Sequence, residues 1–269
     1  MAPVRPRRGR PVRVLTRQVL LAVGLPAVLL GLWWVASDGS TDPFWPPLRT
    51  ILRTFPSVWT GERLRTDLLP SVLRLAVGYT LAGVVGVGLG TLIGSHRGVR
   101  AFCEPVLEFL RAVPPPVLVP VIMLFAGIGD TMKILVIASG CVWPILLNTV
   151  EGVRAVDSVM LETALSYHIG GAGRLRHVVL RSASPQIVAG LRQALSVGII
   201  LMVISEMFAA NNGIGFTVVQ FQRSFAIPDM WTGILLLGLL GFLLSLVYQF
   251  AERRVLGWYH GLRASNRRS

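Results

Sequence analysis

Apolar residues fall along this chain in long uncharged runs separated by short charged stretches. A helix that crosses a bilayer needs about 20 mostly apolar residues to span about 30 Å, and it must satisfy its own backbone hydrogen bonds there. Six runs fit or nearly fit: 19–36, 75–94, 112–129, 134–150, 193–210 and 230–251. The fifth contains one acid, Glu206; the third contains Pro114, Pro115, Pro116 and Pro120. The pattern predicts an all-α integral membrane protein with about six transmembrane helices. In the second run Gly78, Ala82, Gly86, Gly90 and Gly94 recur every fourth residue. They form one small ridge on a helix, where a neighbouring backbone can approach closely. The prolines of the third run remove helix hydrogen bonds. They predict either a broken helix beside a translocation path or a simple kink at the interface.

Composition agrees: 53% of the 269 residues are hydrophobic and only 14% charged, against about 25% charged in a soluble domain. The net charge of +13 raises nucleic acid as a partner, but the arginines sit at both ends and between apolar runs instead of on one face of a folded domain. Stretches 1–18, 95–101, 151–186 and 252–269 hold most of them; the alternate loops hold Arg49, Arg53, Arg63, Arg65, Arg223 and Lys133. The asymmetry predicts cytoplasmic termini. The organisation read from the chain is a cytoplasmic basic tail (1–18), an uncleaved first transmembrane helix (19–36), an extracytoplasmic loop (37–67), a core of five further helices (68–251) and a second basic tail (252–269). Within the outer loop, 50–59 is expected as a surface helix, and Trp33, Trp34 and Trp45 as an interfacial belt.

No catalytic constellation is visible. Lys133 is the only lysine and lies outside any GxxxxGK[ST] frame, so nucleotide binding by this chain is not expected. Cys103 and Cys141 lack metal-ligand spacing and read as small packing residues. The ionisable residues at membrane depth are Arg74, Glu104, Glu108, Arg111, Asp130, Lys133 and Glu206. Glu104, Glu108 and Arg111 share a helix face, as a polar pathway lining or as a headgroup-level ion pair. Glu206, near Asn211, reads either as an outer gate or as a structural acid within the bundle. The candidate pathway residues are Arg111, Pro114, Pro115, Pro116, Glu206 and Asn211.

The longest inner loop, 151–186, contains two short amphipathic segments, roughly 157–168 and 172–181, around a glycine-rich turn. Leu161, Ala164, Leu165 and His168 follow helical spacing and make a face suited to a protein groove. Glu162 lies at its edge, and Gly170, Gly171 and Gly173 are expected to make the reversal. Glu162 and Ala164, with Val179-Leu180 and Pro185 at matching spacing, resemble the EAA loop of binding-protein-dependent ABC importer permeases. Thr163, His168 and Arg181 depart from that pattern, standing in place of an alanine, a glycine and a proline; the turn is expected to shift toward Gly170 and Gly171. Residues 110–120, 125–130 and 144–149, and Glu206-Met207 through Gly213-Ile214-Gly215, resemble the sulfonate, nitrate and taurine branch.

The resemblance implies a type I ABC importer permease in a bacterial cell membrane. It implies that two ATPase subunits carry ATP and Mg, with no cofactor on this chain. It also implies a second permease copy, expected as a homodimer, and an extracytoplasmic solute-binding protein. From the residues alone, a gradient-driven secondary transporter or channel is the alternative; such folds often carry internal repeats, and none is evident between the two halves.

Overall fold

The computed structural model describes residues 12–208 and 210–259, with side chains from Gly24 onward except Pro26. The tail residues Arg5, Arg7, Arg8, Arg10, Arg263, Arg267 and Arg268 lie outside the described residues.

Every regular element described is helical. In chain order these are α1 (Val12–Ser37), α2 (Leu48–Val58), α3 (Leu69–Ser95), α4 (Arg97–Ala112), α5 (Leu118–Ala126), α6 (Asp130–Arg154), α7 (Ser158–Ser166), α8 (Gly171–Arg174), α9 (Leu180–Phe208), α10 (Ile214–Arg223) and α11 (Ile227–Val255). A π-helical turn, Leu64–Leu68, runs into α3, and another, Leu175–Val179, joins α8 to α9. Among the described residues four helical stretches are long and apolar enough to cross a membrane: Leu64–Ser95, Asp130–Arg154, Gly171–Phe208 and Ile227–Val255. α1 spans 26 residues, a sufficient length at about 1.5 Å per residue.

The third predicted span takes a different form. Its first residue, Ala112, ends α4; Val113 and Pro114 are extended, Pro115–Val117 form a 3-10 turn, and α5 has nine residues. The two helices meet at a bend of 77°. The cause is local: a proline disfavours the helical conformation in the residue before it, and three in succession end α4 outright. The pair makes a fifth crossing only as a broken one.

α3, α6 and α9 form the central layer. Inside lipid the helices gain nothing by hiding apolar side chains from tails that are equally apolar, so close packing has to hold them. The ridge on α3 faces α6. A Cβ added at Gly78 would lie 2.9 Å from Ile137 Cβ, at Gly86 2.9 Å from Ile145 Cβ, and at Gly90 2.6 Å from Thr149 Cβ. α9 approaches α6 in the same way: a Cβ added at Gly190 would lie 2.7 Å from the Pro144 carbonyl oxygen. Leu75, Val136, Ile137, Cys141, Ile145, Ala194, Leu201 and Met202 fill the seams. Cys141 is buried and free, and its thiol donates to the Ala194 carbonyl at 3.2 Å. The outward faces of α3 and α11 are apolar: Val84, Phe242, Val247 and Phe250 are exposed.

At the end of the bundle opposite α7, α2 lies against α11, and Trp59 Nε1 donates to Thr232 Oγ1 at 2.8 Å. Trp33, Trp45 and Trp231 pack with ring centroids 5.5–6.3 Å apart. Trp34 stands outside that trio, under the Arg49 guanidinium at 5.9 Å.

Two glycines on α3 separate packing from composition. Gly90→Ala drives a methyl into Thr149 and is expected to destabilise the protein by about 1–3 kcal/mol. Gly88, with open space around it, should accept alanine and gain about 0.5–1 kcal/mol in helix propensity. Thermal midpoints of the two purified variants check the contrast.

Candidate functional site

Two polar assemblies stand at opposite ends of the bundle. The first is the loop between α6 and α9. Asp157 caps α7, its carboxylate accepting from Val159 N–H at 2.8 Å. At the other end His168 N–H donates to the Leu165 carbonyl at 2.8 Å and Ile169 N–H to the Ala164 carbonyl at 3.0 Å. These two bonds close a Schellman motif, whose first residue beyond the cap takes a left-handed conformation and is usually glycine. Here it is His168, with φ 56°. Gly170 has φ −59°. The reversal therefore is not displaced to Gly170 and Gly171, as the sequence suggested; His168 itself makes it, at the position where the EAA pattern carries glycine. α8, the π-helical turn and α9 then return the chain to the bundle. Pro185 lies half-buried inside α9. Arg181, at the position of the missing proline, stacks over Trp258 at 5.5 Å.

The orientation of α7 differs from the expected one. Ala164 is 3% exposed and Leu161 half-buried, whereas Leu165, 55% exposed at the rim of an open cleft, and His168 remain exposed. Helical spacing identifies a common face but not which neighbour it meets: of the expected face, Leu161 and Ala164 turn toward their own protein, while Leu165 and His168 stay free. The free side carries Val159, Met160, Glu162, Thr163, Leu165, Tyr167 and His168, with Tyr167 78% exposed.

The second assembly joins the far ends of α3, α6, α9 and α10. Arg74, 4% exposed, is its hub. Nη1 donates to Glu206 Oε1 at 2.9 Å and to the Asn212 carbonyl at 3.3 Å. Nε donates to Asp130 Oδ1 at 2.8 Å, and Nη2 to Asn212 Oδ1 at 2.5 Å. Glu206, with no exposed surface, accepts also from Ser71 Oγ at 2.6 Å and from Gly215 N–H at 3.0 Å. Asp67 accepts from Gly213 N–H at 3.0 Å. Gly213 has φ 117°, and a Cβ there would strike the Glu206 carboxylate. Lys133 Nζ lies 3.7 Å from Asp130 Oδ1.

Of the pathway candidates, then, Glu206 is bonded within the bundle, the structural alternative. Asn211 is exposed, and its neighbour Asn212 makes the contacts. Arg111 is half-exposed and pairs with Glu108 at 2.7 Å. Pro114, Pro115 and Pro116 form the break between α4 and α5, with Pro115 packed toward Gly140 of α6. The four sets do not converge on one cavity.

Comparison with known proteins settles the class. Residues 83–257 match the family described as binding-protein-dependent transport system inner membrane component. The chain belongs to this family. Among its relatives, the taurine transport system permease protein TauC of Escherichia coli K12 is 33% identical over 91% of this chain and 92% of its own length. The putative aliphatic sulfonates transport permease protein SsuC of Bacillus subtilis 168 is 28% identical over 87% and 86%. The nitrate import permease protein NrtB of Synechocystis is 27% identical over 94% and 96%. An inward-facing structure of the MetNI methionine ABC transporter shares the fold, with TM-score 0.61 and 18% identity over 73% of this chain and 99% of that one. In this permease the Arg74 assembly ties the ends of α3, α6, α9 and α10 together.

Arg74→Gln would leave Glu206 buried without its cation. The expected loss is about 3–5 kcal/mol, read as a lowered thermal midpoint, while Asn211→Ala changes little. His168→Gly should relieve a left-handed cost of about 1–2 kcal/mol, seen as slower hydrogen exchange at the Ile169 amide; His168→Val should speed it.

Proposed function

We propose that this permease forms half of the membrane path of an ATP-driven importer for a small oxyanion of the sulfonate, taurine or nitrate class. The observation that carries the reading is the likeness, over nine-tenths of the chain, to permeases named for taurine, sulfonates and nitrate. A second copy of the chain completes the path, two ATPase subunits bind ATP and Mg beneath it, and a solute-binding protein delivers substrate from outside. Both termini lie in the cytoplasm, supported by the arginine asymmetry of the loops.

In this reading the free face of α7 seats in a groove of the ATPase. Val159, Met160 and Tyr167 supply apolar contact, and Glu162 and Thr163 the polar edge. Ala164 serves the packing of the α7–α8 loop itself, here called the knuckle, so a bulky residue there would report on folding instead of docking. Arg111, paired with Glu108 at the end of a half-exposed amphipathic helix, offers positive charge near the break at Pro114.

The test is uptake of radiolabelled taurine, alkanesulfonate and nitrate by cells expressing the permease with its ATPase and binding protein. Saturable, ATP-dependent uptake of one of the three is expected. Uptake of none, or uptake by the permease alone under an ion gradient, would refute it. Glu162→Lys combined with Met160→Asp should reduce ATPase co-purification at least about tenfold, a loss of about 1.4 kcal/mol, at unchanged membrane content. Arg111→Gln should lower uptake further than it lowers membrane content.

A further inference from the structure

Behind the knuckle lies a cavity of about 1180 Å³. It is bounded by the inner end of α3, the start of α4, the end of α6, α7 and the π-helical turn before α9. Its charged lining is one-signed: Arg97, Arg100, Arg154 and Arg174, with no carboxylate among the lining residues. Arg154 is tied to Glu151 at 2.9 Å. Among the described residues, none of Arg97, Arg100 and Arg174 forms an ion pair with an acid, although Arg100 and Arg174 are half-buried. Half-burying guanidinium groups without a counter-charge carries a cost, and bringing them together adds repulsion. The remaining lining is largely aliphatic, including Leu92, Leu161, Leu165, Leu175 and Val179.

We infer that this cavity binds the phosphate headgroup of an anionic membrane lipid, with the upper acyl chain lying against the leucine and valine wall. Three features favour a lipid phosphate. The arginines lie on the arginine-rich side of the bundle, where anionic headgroups attract basic residues. The volume far exceeds that of a bare oxyanion. The cationic and aliphatic linings adjoin, matching a molecule that is charged at one end and apolar at the other. A bound headgroup would bridge Arg100 of α4 and Arg174 at the end of α8, bracing α7 from behind. This inference does not depend on which solute is transported.

Native mass spectrometry of the whole transporter, released from membranes of mixed phosphatidylcholine and phosphatidylglycerol, tests it. Wild-type protein should retain phosphatidylglycerol in preference to phosphatidylcholine. Arg100→Gln/Arg174→Gln should lose at least about tenfold of that retention, since each basic residue near the surface contributes about 1 kcal/mol. Arg253→Gln/Arg254→Gln, which removes equal charge from the same side outside the cavity, should retain it. A second arm measures thermal stabilisation by inorganic phosphate in phosphatidylcholine alone. Retained lipid with no phosphate effect assigns the site to a lipid headgroup. Stabilisation by phosphate, lost in the cavity variant, without lipid retention would keep the oxyanion site but overturn the lipid assignment. Equal lipid retention in both variants, or neither response in wild type, would overturn the inference altogether.

Discussion

Inside a bilayer two helices approach no closer than their side chains allow, and in this permease that distance is set by missing side chains. The glycine and alanine ridge of α3 lets its backbone settle onto α6, and Gly190 of α9 does the same on an adjoining face of α6. α6 is thereby held between two neighbours at near-contact distance. Almost every other feature follows from that layer. α10 and α11 lean on it, the knuckle hangs from one end of it, and the Arg74 hub can form at the other only because the ends of α3, α6 and α9 are already adjacent.

The hub adds specificity to a contact that dispersion alone would leave free to slide. A helix pair packed through a ridge of small residues can shift by a turn with little change in apolar contact. Arg74 cannot: it must meet Glu206, Asp130 and Asn212 together, and any other register would leave a buried charge without its partner. Dispersion brings the helices close; the buried ion pairs fix how far along each other they lie.

Much of this was legible in the chain. The uncharged runs mark α3, α6, α9 and α11, the four-residue recurrence of small residues marks the close contact, and the prolines mark the broken third span. The hub was not, although Arg74, Asp130 and Glu206 all stand out as ionisable groups at membrane depth. Arg74 is 56 residues from Asp130 and 132 from Glu206, and their meeting depends on which helices are neighbours, information that periodicity does not hold. The knuckle was half legible. Its two helices and the presence of a reversal could be read, but not the placing of that reversal at His168 or the inward turn of Ala164, because a repeating face is silent about its partner. His168 carried a clue after all: it occupies the glycine position of the EAA pattern and adopts the backbone angle for which glycine is suited.

One uninterrupted helical stretch runs from Gly171, at the knuckle, to Phe208, just past the hub, a length of 38 residues. At about 1.5 Å per residue it is a rod of about 55 Å, and tilting it by about 10° around its middle would carry each end about 5 Å in opposite senses. Hydrogen bonds such as those on Glu206 fail with far smaller displacements. In the proposed coupling, a push on the knuckle has two outlets. Either the rod flexes at its π-helical turn, where helix geometry is already irregular, or the far ends of α3, α6 and α10 travel with it as one cap. The lever arm is built into the chain, and the hub decides how much load it bears.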